Sequence, residues 1–126
     1  MAASEAKEDV LNELLDGARN IIRRGSIHDL TIAGMAEEAK YARPTAYRYF
    51  SYPRDVVYAI AEATMTKVID GLDFDAEDFA VEYARAAVKE FTSDSAVNRQ
   101  VILYAGVQSA EKAWIPPAIL PESILD

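Results

Sequence analysis

From Val10 to Ala105 the apolar residues of this chain recur at steps of three and four, and no stretch alternates apolar with polar positions. That spacing follows the 3.6-residue turn of an α-helix and not the two-residue repeat of a strand, so the chain is expected to be all-α. At 126 residues it has the length of one compact domain and needs no covalent staple to hold a core. It contains no cysteine, which removes disulfides and thiolate metal sites and makes a reducing cytoplasm the expected setting. Its longest apolar runs fall well short of the roughly 20 residues that cross a bilayer, and Met1 to Glu5 carry an acid and no base, so neither a membrane span nor a signal peptide is expected.

Punctuation divides the pattern into six helices. Val10, Leu11, Leu14, Leu15, Ala18, Ile21 and Ile22 predict a first helix over residues 5–24, with Ser4 as its cap and Gly25 beyond its end. Thr31 is placed to cap a second helix that buries Ile32, Met35, Ala36 and Ala39. A turn of Lys40, Tyr41 and Ala42 leads to a third helix over 43–50, where Pro44 suits the first turn because no intrahelical bond is lost there. Pro53 opens a longer fourth helix that buries Val56, Val57, Ile60, Ala61, Thr64 and Val68 and stops at Gly71. The acidic link Asp73-Phe74-Asp75 is expected to cap a fifth helix with Phe79, Ala80, Tyr83, Ala84, Ala87 and Phe91 inward. After Ser93 to Ser95 a sixth, over 96–113, packs Val97, Val101, Tyr104 and Ala105, and Pro116, Pro117 and Pro121 end regular structure.

The formal net charge of -8 argues at first against a nucleic-acid partner, because phosphate binding requires cations. The acidity is not evenly spread. Residues 1–54 hold eight basic and eight acidic side chains, whereas residues 55–126 hold five and thirteen. Between Arg19 and Arg54 seven cations face only Asp29, Glu37 and Glu38, enough for a local positive face.

Two short helices joined by a tight turn, the second opening on a basic residue, form the arrangement that sets a helix N-terminus into the major groove. Thr31-Ile32-Ala33-Gly34-Met35-Ala36-Glu37-Glu38-Ala39 followed by Arg43-Pro44-Thr45-Ala46-Tyr47-Arg48-Tyr49-Phe50 resembles the DNA-binding head of the tetracycline-repressor family, and the likeness runs from about Leu11 to Ala63. The resemblance implies a three-helix helix-turn-helix head over 1–52, then over 53–126 a connecting helix and a partial helical bundle for ligand sensing and dimerisation. It implies a cytoplasmic, homodimeric transcription regulator, a repressor by preference, that binds a double-stranded operator and responds to a small apolar effector. Carried onto this chain, it gives Thr31 and the first-turn amides of its helix a phosphate, and turns Arg43, Pro44, Thr45, Tyr47 and Arg48 toward DNA. Arg43 or Arg48 suits guanine O6 and N7, Thr45 a thymine methyl or a phosphate, and Tyr47 the backbone. Tyr49 and Phe50 are assigned to the head's core. The chain departs from the family pattern at Lys40, in a turn position that usually holds glycine, at Ala46, in place of a leucine, and at Pro53, in place of a phosphate-binding lysine for which Arg54 is the nearest substitute.

The same resemblance makes Phe79, Tyr83, Phe91, Tyr104, Gln108 and Trp114 candidates to line an effector cavity, while core or subunit packing explains them equally well from sequence. Arg23 and Arg24 suit either the DNA backbone or the dipole of the first helix. His28 has no cysteine or second histidine to share a metal with and reads as a loop or capping residue. The carboxylates Asp70, Asp73, Asp75, Glu77 and Asp78 lack the glycine-containing spacing of a calcium loop. No paired acid and base, activated nucleophile, phosphate loop or cofactor motif emerges, so neither catalysis, a metal nor a cofactor is expected. The alternative to a DNA-binding regulator is a non-catalytic ligand-binding or protein-interaction module that keeps this fold without binding DNA.

Overall fold

The computed structural model describes residues 2–112, and every regular element among them is helical: α1 (Ala2–Arg24), a single 3-10 turn (Ile27–Asp29), α2 (Ile32–Ala39), α3 (Arg43–Tyr49), α4 (Pro53–Asp70), α5 (Phe79–Ser93) and α6 (Ser95–Lys112). The chain divides into two compact units, residues 1–59 and residues 60–126, with the boundary inside α4.

In the first unit the apolar stripe of α1 seals Leu14, Leu15, Ala18 and Ile22. Against it α2 sets Ile32, Met35 and Ala36, α3 adds Ala46, and Ile21, Leu30, Phe50, Val56 and Val57 are buried with them. Each large aliphatic side chain removed from water in this way stabilises the unit by roughly 1.5–3 kcal/mol. The approach of α1 to α2 is close at Gly17, where a β-carbon would lie 3.1 Å from the Met35 carbonyl and 3.2 Å from the Ala39 β-carbon. α1 begins three residues earlier than its stripe predicts, so Ser4 lies inside the helix and does not cap it. Ala2, Ala3, Glu5 and Ala6 are strong helix formers, and the helix continues through them.

The loop after α1 is fixed by a reciprocal cap. Ser26 Oγ accepts the His28 amide at 3.1 Å, and the Ser26 amide donates to Asp29 at 2.9 Å, leaving the His28 side chain exposed. Gly25 and Gly71 follow the ends of α1 and α4 as expected, and neither is left-handed. The one left-handed residue among those described is Lys40, at φ 64 and ψ 38. Its amide donates to Glu37 O at 3.1 Å and the Tyr41 amide to Ala36 O at 2.9 Å, the paired bonds of a Schellman cap, so α2 ends on a lysine where such caps usually hold glycine.

In the second unit Ile60, Ala61 and Val68 of α4 and Val97, Val101 and Ala105 of α6 are buried, while Tyr104 is only half-buried. α5 was expected to turn a continuous face inward, but none of its residues is buried: Phe79, Tyr83, Ala87 and Phe91 are half-covered, and Ala80 and Ala84 face solvent. The Asp73-Phe74-Asp75 link does not cap it either. Asp73 Oδ1 accepts the Asp75 amide at 3.0 Å and so closes its own local turn, and α5 starts at Phe79 after Asp78, whose side chain makes no capping bond. α6 begins directly after Asp94. The expectations for Trp114 and for Pro116, Pro117 and Pro121 fall outside the described residues.

Candidate nucleic-acid interface

α3 has seven residues and two distinct sides. Ala46 is fully buried and Thr45 and Tyr49 half-buried, whereas Arg43, Pro44, Tyr47 and Arg48 are exposed. At about 100° per residue these four occupy roughly 140° of arc, one continuous outward face. Tyr47 is 52% exposed. Thr45 stands at the edge of that face next to Arg48 and is partly taken up by packing.

The position of α3 is set from both ends. At its start the Tyr41 hydroxyl donates to the Glu13 carboxylate of α1 at 2.7 Å, and this hydrogen bond holds the Tyr41 phenol above its ordinary pKa, with desolvation and the Glu13 charge adding to it. At its end the Tyr49 hydroxyl donates to the Lys7 carbonyl at 3.4 Å, while Phe50 is buried as the resemblance implies. Neither tie has a sequence signature, because the partners lie 28 and 42 residues apart.

The N-terminus of α2 is built as the sequence predicts. Thr31 is extended, and its Oγ1 accepts the Gly34 amide at 2.9 Å. The acceptor side of the hydroxyl is thereby used for the cap, which leaves its O–H to donate outward from an exposed position. Between Ala39 and Arg54 the chain carries Lys40, Arg43, Arg48 and Arg54 and no carboxylate. Arg54, the second residue of α4, lies over the Tyr52 ring at 4.8 Å and 4.0 Å from Asp55, so its guanidinium is steered without being tightly paired.

Arg23 and Arg24 divide. Arg23 donates to Asn20 at 2.6 Å. Arg24 forks onto Glu38 at 3.0 and 3.1 Å, joining the end of α1 to α2. Those hydrogen bonds, with the charge of Arg24, hold the Glu38 carboxyl below its usual range and raise the Arg24 guanidinium.

Residues 14–55 match the sequence model of the family described as bacterial regulatory proteins, tetR family. Over that segment, about a third of the chain, the sequence is similar to the tetR family. The match begins at Leu14, the first sealed residue of α1, and ends at Asp55, two residues into α4 beyond Pro53, so it contains every exposed residue of α3 and the capped start of α2. No curated protein and no solved structure matches the chain.

The residues expected around an effector are not gathered at one place. Phe79 stacks between Phe74, at 5.1 Å, and Tyr83, at 6.1 Å, forming a surface ladder of rings. Phe91 lines an open apolar hollow of about 280 Å³ with Val68, Ala87 and Val88. Tyr104 and Gln108 are half-buried on α6 and line neither that hollow nor a smaller one of about 150 Å³ beside it. No helix among the described residues is long and apolar enough to cross a membrane.

Proposed function

We propose that this protein is a transcription regulator that binds a double-stranded operator by laying α3 in the major groove, and that it is a repressor acting as a homodimer and released by a small apolar effector. The observation that carries the DNA reading is the outward face of Arg43, Pro44, Tyr47 and Arg48, set on a helix tied at both ends to α1 within a segment that matches the tetR family. Two guanidiniums on that face suit guanine edges or phosphates, and Tyr47 offers an amphipathic ring with a hydroxyl for the backbone. Thr31 donates its free O–H, with the open amides of α2, to a phosphate beside the groove, and Arg54 supplies the charge at the start of α4. Two such heads reading successive major grooves favour a partly palindromic site. For effective release the effector must prefer the non-binding arrangement by a few kcal/mol.

The test is retention of a pool of random genomic fragments by the whole chain at two salt concentrations. Sequence-selective retention that falls steeply with salt is expected, and Arg43→Ala and Tyr47→Phe weaken it while leaving the helical circular dichroism unchanged. Absence of retention at low salt refutes the reading and leaves the ligand-binding or protein-interaction module in its place.

A further inference from the structure

Asn98 is the only buried polar or charged residue among those described, at 6% exposure. Its side-chain amide donates to the carbonyls of Glu90, at 3.1 Å, and Phe91, at 3.2 Å. Both belong to the last turn of α5, where backbone amide donors run out; the Glu90 carbonyl also accepts the Ser93 hydroxyl at 2.6 Å, and the Asn98 amide adds a donor that ties α6 to α5. That accounts for the nitrogen of Asn98 and not for its oxygen, which can accept two further bonds. No donor among the described residues reaches Oδ1, yet no side-chain oxygen there is both sealed and unpartnered. The oxygen therefore meets open space. The space that Asn98 borders is a hollow of about 150 Å³ walled by Ala61, Thr64, Met65, Val101, Ile102 and Ala105.

We propose that this hollow binds a neutral, ring-sized molecule bearing one hydroxyl or N–H that donates to Asn98 Oδ1. The inference deepens the effector reading above by assigning it a place and a chemistry, and it rests on that reading for its regulatory meaning alone. An apolar cavity of about 150 Å³ holds a benzene-sized group. Its walls are apolar except for Thr64 and Asn98, and they present no cation, so a carboxylate would meet an acceptor with nothing to neutralise it. The wider hollow beside it shares Thr64, Met65 and Ile102 and leaves room for an apolar substituent directed toward Phe91. Asn98 is thus the specificity-determining residue, and the aliphatic walls supply affinity through burial.

The test titrates the whole chain with phenol, toluene and benzoate at millimolar concentrations, followed by nuclear magnetic resonance. Phenol is expected to bind and to move the Asn98 side-chain amide resonances, while benzoate binds far more weakly. The ratio of phenol to toluene affinity is expected to fall by roughly three- to tenfold in Asn98→Leu, as the loss of one hydrogen bond implies, and to hold in Thr64→Val. A ratio that survives Asn98→Leu, a ratio lost in Thr64→Val, or benzoate binding as tightly as phenol overturns the proposal. Because Asn98→Leu also removes a donor from the Glu90 and Phe91 carbonyls, of which Glu90 keeps the Ser93 hydroxyl, Ala105→Leu provides a second arm that fills the hollow without touching the tie. Loss of the phenol-induced shifts in that variant supports the site, and shifts that persist, or that never appear in the wild-type chain, overturn it. Fragment retention measured on the same samples reports on the regulator reading separately, since binding of phenol does not require DNA.

Discussion

Replacing Lys40 with glycine should stabilise the head. Lys40 is held at φ 64 by two capping hydrogen bonds, and its side chain is exposed and makes no ion pair among the described residues. For a residue with a β-carbon the left-handed conformation costs about 1–2 kcal/mol. Glycine removes that cost but gives back about 0.5–1 kcal/mol through the greater freedom of its unfolded chain. The net gain is about 0.5–1 kcal/mol, or roughly 2–5 °C in the unfolding midpoint of a chain of this size. Thermal and urea unfolding followed by circular dichroism measure it, with Lys40→Ala as the control that removes the charge and keeps the β-carbon. Lys40→Ala should leave the midpoint within about 0.5 kcal/mol of wild type. If Lys40→Gly is neutral or destabilising relative to Lys40→Ala, the account of strain at this cap is wrong.

Further outcomes follow from the packing and the charges. Ala46 is fully enclosed, so Ala46→Leu, which restores the family's usual residue, should cost about 1–3 kcal/mol by overpacking, and unfolding in urea measures it. Met35→Ala at the contact of α1 with α2 should cost about 2–5 kcal/mol in the same assay. Arg24 lowers the Glu38 carboxyl, so the contribution of this pair is present above the unfolded pKa of about 4.3 and is lost as pH falls through the lower folded value. The stability difference between wild type and Glu38→Gln should therefore shrink as acid is added below about pH 4 and stay constant toward neutrality. Arg48→Ala should lower affinity for DNA; if Arg48 holds a phosphate, the salt slope of binding falls by roughly one unit, and if it reads a base, discrimination between sequences falls instead.

Much of the head was legible because its signals are local. Thr31 caps where a threonine before an apolar stripe should, Pro44 opens α3, Pro53 opens α4, and the core follows helical spacing. The outward side of α3 was legible only through the family resemblance, which set Arg43, Pro44, Thr45, Tyr47 and Arg48 outward and Tyr49 and Phe50 in the core, and of these Thr45 and Tyr49 are half-buried. Contacts that depend on distant partners were not legible: Tyr41 with Glu13, Tyr49 with Lys7 and Arg24 with Glu38 join residues whose spacing carries no pattern. The second unit was read less well for a related reason. Periodicity located the stripe of α5 but not how much of it a neighbour would cover, and it placed Asn98 on a helix without showing that its amide would reach back to the carbonyls of α5. Asp73 was misread as a cap because an aspartate serves a turn as readily as a helix start.

Gly17 bears on how any mutational survey of this protein should be interpreted. Its missing β-carbon lets α1 settle onto α2, and an added methyl would press on backbone that cannot yield cheaply. On the proposed reading, variants selected for operator occupancy would be depleted at position 17 as well as at 43 or 47, although Gly17 lies on α1 against α2 and not on the outward face of α3. A sensitivity map of the head would thus superimpose two layers, one drawn by the proposed operator and one by the closeness of its own helices, and only a fold assay run in parallel would separate them.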